Sequence, residues 1–261
     1  MKRILRRLRG RRGQLSHAGE EAPISRHLAD IDDLTRFCVD IAAADGITQS
    51  NTYHLFRQDW AGVAVELDAS LFKKLATTLR GFKHVRLARS RVTPKNVVPL
   101  LQAFDTPEKF GFLSLDIDSY DFFVLHCILS KFRPGLVCTE INEKIPPPIK
   151  FTVTYSDDHF WRGDHFYGQS ISKLNELCDL YDYSIVELHY NNAFLKPKEL
   201  SKGVSLTPEA AYEGGYRSRD DRLSLFPWNA DMEDLYYMEP EEILRALSVR
   251  FSAYSNYTCT L

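Results

Sequence analysis

Arg36–Phe56 reads RFCVDIAAADGITQSNTYHLF: an apolar run (Phe37, Cys38, Val39, Ile41), a turn of small residues (Ala42, Ala43, Ala44, Asp45, Gly46), then a helical segment. A strand that stops in small residues and feeds a helix leaves backbone N–H groups facing a cleft. A nucleotide-like ligand can lie there against the main chain. A second apolar run, GVAVELD, ends in Glu66, placed to accept hydrogen bonds from paired nucleoside hydroxyls. A third, FGFLSLDIDSYD, ends in Asp116 and Asp118. Strands that each stop in a polar group at one sheet edge describe a ligand site.

Outward from this stretch the pattern repeats. Strands are expected at 62–67, 84–88 (followed by Arg89), 110–117 and 136–141, with helices at 51–58, 69–80, from Pro94 onward, and at 120–131. The strands are continuous apolar runs, as strands covered on both faces should be, so five strand–helix alternations predict a parallel sheet. The rhythm breaks at 144–168, KIPPPIKFTVTYSDDHFWRGDHFYG, too aromatic for disorder and read as a lid over the site. A helix at 170–181 and a strand pair at 184–189 and 192–196 close the sheet with an antiparallel strand. The organisation expected is a basic arm with a short helix (1–35), an α/β domain (36–200) with its lid, and a helical C-terminal extension (201–261).

Composition sets limits. The 261 residues carry 33 Lys and Arg against 35 Asp and Glu, a net charge of −2, which argues against a general nucleic-acid binder. Five scattered cysteines have no zinc spacing and predict free thiols in a reducing, cytoplasmic setting. Only the start, MKRILRRLRGRRG, is strongly basic. It reads as a frayed arm or as an amphipathic segment resting peripherally on an anionic membrane. No run is long enough to span a bilayer.

The opening turn lacks the G-x-G-x-x-G of dinucleotide folds and carries Asp40 and Asp45, which would repel a pyrophosphate. They favour a cationic ligand, such as the ammonium and sulfonium of S-adenosylmethionine. On VDIAAADG, VAVELD, FLSLDIDSYDFFVL and LVCTEINEKIPPP the chain resembles the class I S-adenosylmethionine-dependent methyltransferases, and within them the FkbM-like group of small-molecule and sugar O-methyltransferases. The resemblance implies a Rossmann-like α/β fold: a mostly parallel seven-stranded sheet, helices on both faces, an antiparallel last strand. The family's acid–glycine pattern falls on Asp40, Ala42, Ala44 and Gly46, with alanines at two glycine positions. It implies Asp40 on the methionine amino group, Gly46 and its neighbours against the cofactor, and Glu66 on the ribose. Asp45, Asn51, Arg89 and Asp116 complete the expected cofactor set.

Asp116, Asp118, Glu140 and Asn142 close two neighbouring strands, and such an all-oxygen group suits Mg²⁺ or another divalent cation. Expected bases for a methyl acceptor are Asp118, Glu140 and His165. Trp161, Phe166 and Tyr167 could wall a small-molecule or sugar acceptor, and Asn191 and Asn192 either bind it or make a turn. Two other readings stay open: a metal-dependent glycosyltransferase using Asp116-Ile117-Asp118, and a non-catalytic module on the same fold.

Overall fold

The computed structural model describes Ser16 and residues 18–261, so the basic segment 1–13 and its expected membrane contact lie outside the described residues. Five strands run parallel: β1 (Phe37–Ile41), β2 (Ala61–Glu66), β3 (Val85–Arg89), β4 (Lys109–Leu115) and β5 (Arg133–Glu140). After β6 (Lys150–Val153), which leaves this sheet, β7 (Tyr183–His189) and β8 (Asn192–Pro197) form a hairpin. The seven-stranded order is β3-β2-β1-β4-β5-β8-β7, with β8 antiparallel to β5. This is the Rossmann-like methyltransferase fold that the strand pattern and the resemblance lead one to expect. Strand order reverses between β1 and β4, and ligands of open α/β sheets bind at the carboxyl ends flanking such a point.

Alternation along the strands sorts the apolar side chains onto two faces. Val39, Val63, Val65, Leu113, Leu115 and Val137 pack beneath α4 (Val97–Ala103), α5 (Asp121–Leu129) and α6 (Ile171–Leu180). Cys38, Ala64, Phe112, Leu136 and Cys138 pack beneath α1 (Glu21–Ala29), α2 (Tyr53–Phe56) and α3 (Ala69–Thr78). All five cysteines are free thiols. Pro94 sits in a turn, and α4 starts three residues later at Val97. Among the described residues, no helix is long and apolar enough to cross a membrane.

The region 144–168 differs from a simple lid. Ile145, Ile149, Phe151, Val153 and Phe166 are buried, and β6 pairs antiparallel with a C-terminal strand, β9 (Tyr257–Thr260). Met232, Leu235, Ile243, Leu247 and Phe251, from the segment around α9 (Pro240–Arg250), complete this separate core. The inward side chains of β6 need an apolar cover that the main sheet does not supply, and the C-terminal segment supplies it. That segment also holds α7 (Pro208–Tyr212) and α8 (Arg222–Leu225). It is therefore not wholly helical, because it ends in a strand.

Candidate active site

A cavity of about 520 Å³ opens at the carboxyl ends of β1, β2 and β4. Its floor is the turn after β1. Ala42 (φ 68°), Ala44 (φ 48°) and Gly46 (φ 77°) all adopt left-handed backbone, the conformation that favours glycine. An L-alanine costs about 1–2 kcal/mol in that region, so something must hold the turn in shape. The N–H groups of Ala42 and Ala43 both donate to the Val65 carbonyl, at 3.0 Å. Ala44 N–H donates to Glu66 Oε2 at 2.8 Å. Ala42, Ala43 and Ala44 all line the cavity.

Two acids face this floor. Asp40 is buried and accepts a hydrogen bond from the Thr52 hydroxyl. Burial, with the nearby Glu66 charge, lifts its pKa to about 6 despite that bond. Glu66 uses Oε2 on Ala44 and Oε1 on Asp68 N–H at 2.7 Å, so both oxygens are oriented while each keeps a lone pair. Asp68 caps α3 through the N–H groups of Ser70 and Leu71. Leu67, Leu71 and Val92 give an apolar flank beside Glu66, with Ser90 next to it, and Asn51 lines the wall and donates to Ser114 Oγ.

The opposite end is built from β4 and β5. Because β4 stops at Leu115, strand alternation no longer separates Asp116 from Asp118, and Asp118 turns with φ 53°. Asp116, Asp118 and Glu140 offer oxygens that all lie within 4.8 Å of one another. Asp121 holds the turn by accepting from Ile117 N–H (2.8 Å) and Ser119 N–H (2.9 Å). Burial, then repulsion from the neighbouring acids, Asp116 foremost, raises Asp118 and Glu140 well above the usual carboxylate range; of the two, Asp118 lines the cavity and Glu140 does not. Asp116 opens on the cavity, yet withdrawal from bulk water raises it too, against a hydrogen bond with Glu140. Asp121 rises to about 6, through burial first and the Asp116 charge second. Asn191 Nδ2 donates to Glu140 Oε1 at 2.6 Å, orienting that carboxylate. Behind this group Lys144 and Glu143, both fully buried, form an ion pair at 3.3 Å that also engages Tyr167.

Several expected site residues lie elsewhere. Asp45 accepts from Ile47 N–H, Thr48 N–H and the Thr48 hydroxyl, so it ties its own turn and does not line the cavity. Gly46 meets α3: a Cβ there would stand 2.6 Å from Leu75 Cδ1, which makes its role packing. Arg89 is exposed outside the cavity, while Arg91 lines it. Asn142 is fully buried, with Nδ2 donating to the carbonyls of His165 (2.8 Å) and Tyr167 (3.0 Å), and is absent from the cavity lining. His165 pairs with Asp231 at 3.1 Å, away from the cavity. Phe166 stacks on Tyr254 at 3.8 Å in the core below β6, and Tyr167 belongs to the Glu143–Lys144 network, so neither walls an acceptor. Asn192 Nδ2 donates to Glu20.

In their place stand Arg91, Ser119, Tyr120, His159 and Phe160, together with Trp161. Arg91 stacks on Phe160 at 4.4 Å, bonds Tyr120 Oη at 3.2 Å and donates to the carbonyls of Asp157 and His159. It thereby pins the exposed part of the 154–161 loop over the cavity.

No family model matches this chain, and no curated protein matches it. Similar solved structures include the N-terminal domain of EvdMO1 with SAH bound, at 9% identity over 67% of this chain and 79% of that one, TM-score 0.43. A SAM-dependent methyltransferase from Aquifex aeolicus is similar at 10% identity over 67% and 89%, TM-score 0.40. The CurJ carbon methyltransferase is similar at 9% identity over 70% and 54%, TM-score 0.44. Of these neighbours one is a SAM-dependent methyltransferase, one a carbon methyltransferase, and one is seen with SAH bound.

Proposed function

We propose that the chain is an S-adenosylmethionine-dependent methyltransferase acting on a hydroxyl of a small molecule or a sugar or glycan precursor, as the FkbM-like resemblance implies. The observation that carries this reading is that Asp40 and Glu66 open onto one cavity, joined by a left-handed turn whose N–H groups are already organised. A cavity of this size and place suits a nucleoside ligand.

Asp40 would accept from the methionine ammonium and Glu66 from the ribose hydroxyls, each as a charge-assisted bond. Leu67, Leu71 and Val92 would flank the base, with Ser90 at its edge. When bound, S-adenosylmethionine supplies a methyl group on a sulfonium and leaves as S-adenosylhomocysteine once the acceptor oxygen has taken that methyl. Asp118 lines the cavity just past the end of β4 and takes the proton of the attacking hydroxyl. Glu140, oriented by Asn191, supports it. A divalent cation held by Asp116, Asp118 and Glu140 would add Lewis-acid help to the same deprotonation.

The test is incubation of the full chain with methyl-labelled S-adenosylmethionine and a panel of polyols and sugars, with and without EDTA. The reading expects label transfer to a hydroxylated acceptor that is lost in Asp118→Asn. Transfer of a glycosyl group from a nucleotide sugar, with none of methyl, would replace it.

A further inference from the structure

Exposed apolar side chains gather where the sheet's carboxyl edge opens. Leu67 (47% exposed), Phe160 (57%) and Trp161 (40%) line the cavity and still face solvent. Ile47 (37%) stands one residue before Thr48, which also lines the cavity. These side chains come from three separate segments: the turn after β1, the residue after β2 and the loop after β6. A single exposed apolar residue is ordinary, but several segments contributing to one rim mark a surface that meets something apolar. The charge beside this rim indicates what that is. Residues 1–15 hold seven Lys and Arg, the last of them Arg12, and no acid. The described chain continues from them at the same edge. The Ala18 carbonyl accepts from His189 Nε2 at 3.1 Å, and Glu20 Oε1 accepts from Asn192 Nδ2 at 3.0 Å. His189 ends β7 and Asn192 pairs with Glu140, the last residue of β5, so both stand at the carboxyl edge. Six residues separate Arg12 from Ala18, a reach of at most about 22 Å.

We propose that this rim is the face on which the protein rests on an anionic lipid bilayer, Phe160 and Trp161 entering the interface and the basic segment meeting the charged head groups. Aromatic and aliphatic side chains with Lys and Arg beside them are the combination that interfacial anchoring requires. Each Lys or Arg close to an anionic surface strengthens binding about fivefold. The loop after β6 does not supply that attraction, since its Asp157 pairs with Lys95 at 3.0 Å, so the charge comes from the segment ahead of Ser16. Asp40 and Glu66 are buried behind the rim, out of contact with a flat anionic surface. A nucleic acid would offer phosphates to the same cations, but the aliphatic Ile47 and Leu67 favour acyl chains over bases. The inference concerns what the cavity opens onto, and it does not rest on which reaction the cavity carries.

The experiment is co-sedimentation of the full chain with vesicles of phosphatidylcholine alone or with phosphatidylserine added, followed by quenching of tryptophan fluorescence by brominated phosphatidylcholine. Binding to the anionic vesicles is expected to be at least about tenfold tighter than to the neutral ones. Of the three tryptophans Trp60 is buried, so in Trp228→Phe the lipid bromines should quench Trp161, and adding Trp161→Phe should abolish that quenching. Ile47→Ser combined with Phe160→Ser should weaken vesicle binding at least about fivefold at an unchanged melting temperature. Tyr237→Ser removes a side chain 82% exposed that does not line the cavity, and it should leave binding as it was. Equal binding to both kinds of vesicle, or binding without quenching of Trp161, would overturn the inference. So would a dimer that the double substitution dissolves, which would give the rim to a second copy of the chain. Single-stranded polyuridylate that quenches Trp161 and releases the protein from vesicles would give it to nucleic acid. Any of these results leaves the methyltransferase reading standing, whereas absence of heat with S-adenosylhomocysteine would remove that reading alone.

Discussion

The β1–β2 edge and the β4–β5 edge both end in carboxylates, but the two are finished to different degrees. At β1–β2 each acid is already oriented by the protein: Glu66 by the N–H groups of Ala44 and Asp68, Asp40 by Thr52. At β4–β5 three carboxylates crowd together, Asp116 and Glu140 in hydrogen-bond contact, and of the three Glu140 is oriented by Asn191. The first edge is preorganised for a ligand of fixed shape. The second crowds carboxylates whose repulsion favours their protonated forms, as groups poised for chemistry often show.

The largest effect should appear where the second edge is disarmed. Asp118→Asn keeps a residue that tolerates the left-handed backbone and should lower kcat by about 10²–10⁴-fold if Asp118 is the base. Cofactor affinity, read by calorimetry, should stay nearly the same, and loss of both together would erase the distinction between the edges. At the first edge, Glu66→Ala should weaken S-adenosylmethionine binding by about 1–3 kcal/mol through lost charge-assisted bonds. Unchanged affinity would show that Glu66 serves only the turn.

Protonation sharpens the contrast. Asp40 and Asp121 have folded pKa values near 6, above those of the unfolded chain. The folded state therefore binds their protons more tightly, and this contribution is complete below the unfolded value. It is lost as pH rises through about 6, at up to roughly 2–3 kcal/mol per group. The ligand-free protein should melt higher at pH 5 than at pH 7.5, and Asp40→Asn should shrink that difference. A melting temperature that rises with pH over this window would contradict the assigned directions.

Smaller effects remain. Arg91→Ala should release the 154–161 loop and raise the acceptor KM about fivefold, about 1 kcal/mol, with kcat little changed. Ala44→Gly relieves a left-handed alanine but frees the unfolded chain, so denaturant unfolding should shift by less than about 1 kcal/mol.

Much of the first edge was legible because strand ends are local events. An apolar run, a turn and an acid announce Asp40 and Glu66, and Asp116 at the other edge, without knowledge of the partners. Where the reading failed, the cause lies in distant pairing or in a shift of two residues along the chain. Arg89 still belongs to β3 and points away, whereas Arg91, two residues on in the following loop, enters the cavity. His159 enters in place of His165 because β6 pairs with β9 about a hundred residues later, and that pairing sets the path of the loop between them. Asn142 looks like a metal ligand at a strand end, but its amide holds the carbonyls of His165 and Tyr167, whose position no local pattern reveals. Alanines stand at 42 and 44, two of the family's glycine positions. The backbone keeps the left-handed shape because Val65 and Glu66 hold its N–H groups.

The most direct measurement is calorimetric titration of the full chain with S-adenosylmethionine, alongside NAD and UDP-glucose. A preorganised Asp40–Glu66 edge requires saturable one-to-one binding of the cationic nucleoside and none of the two pyrophosphates. Binding of either pyrophosphate with no heat from S-adenosylmethionine would contradict it.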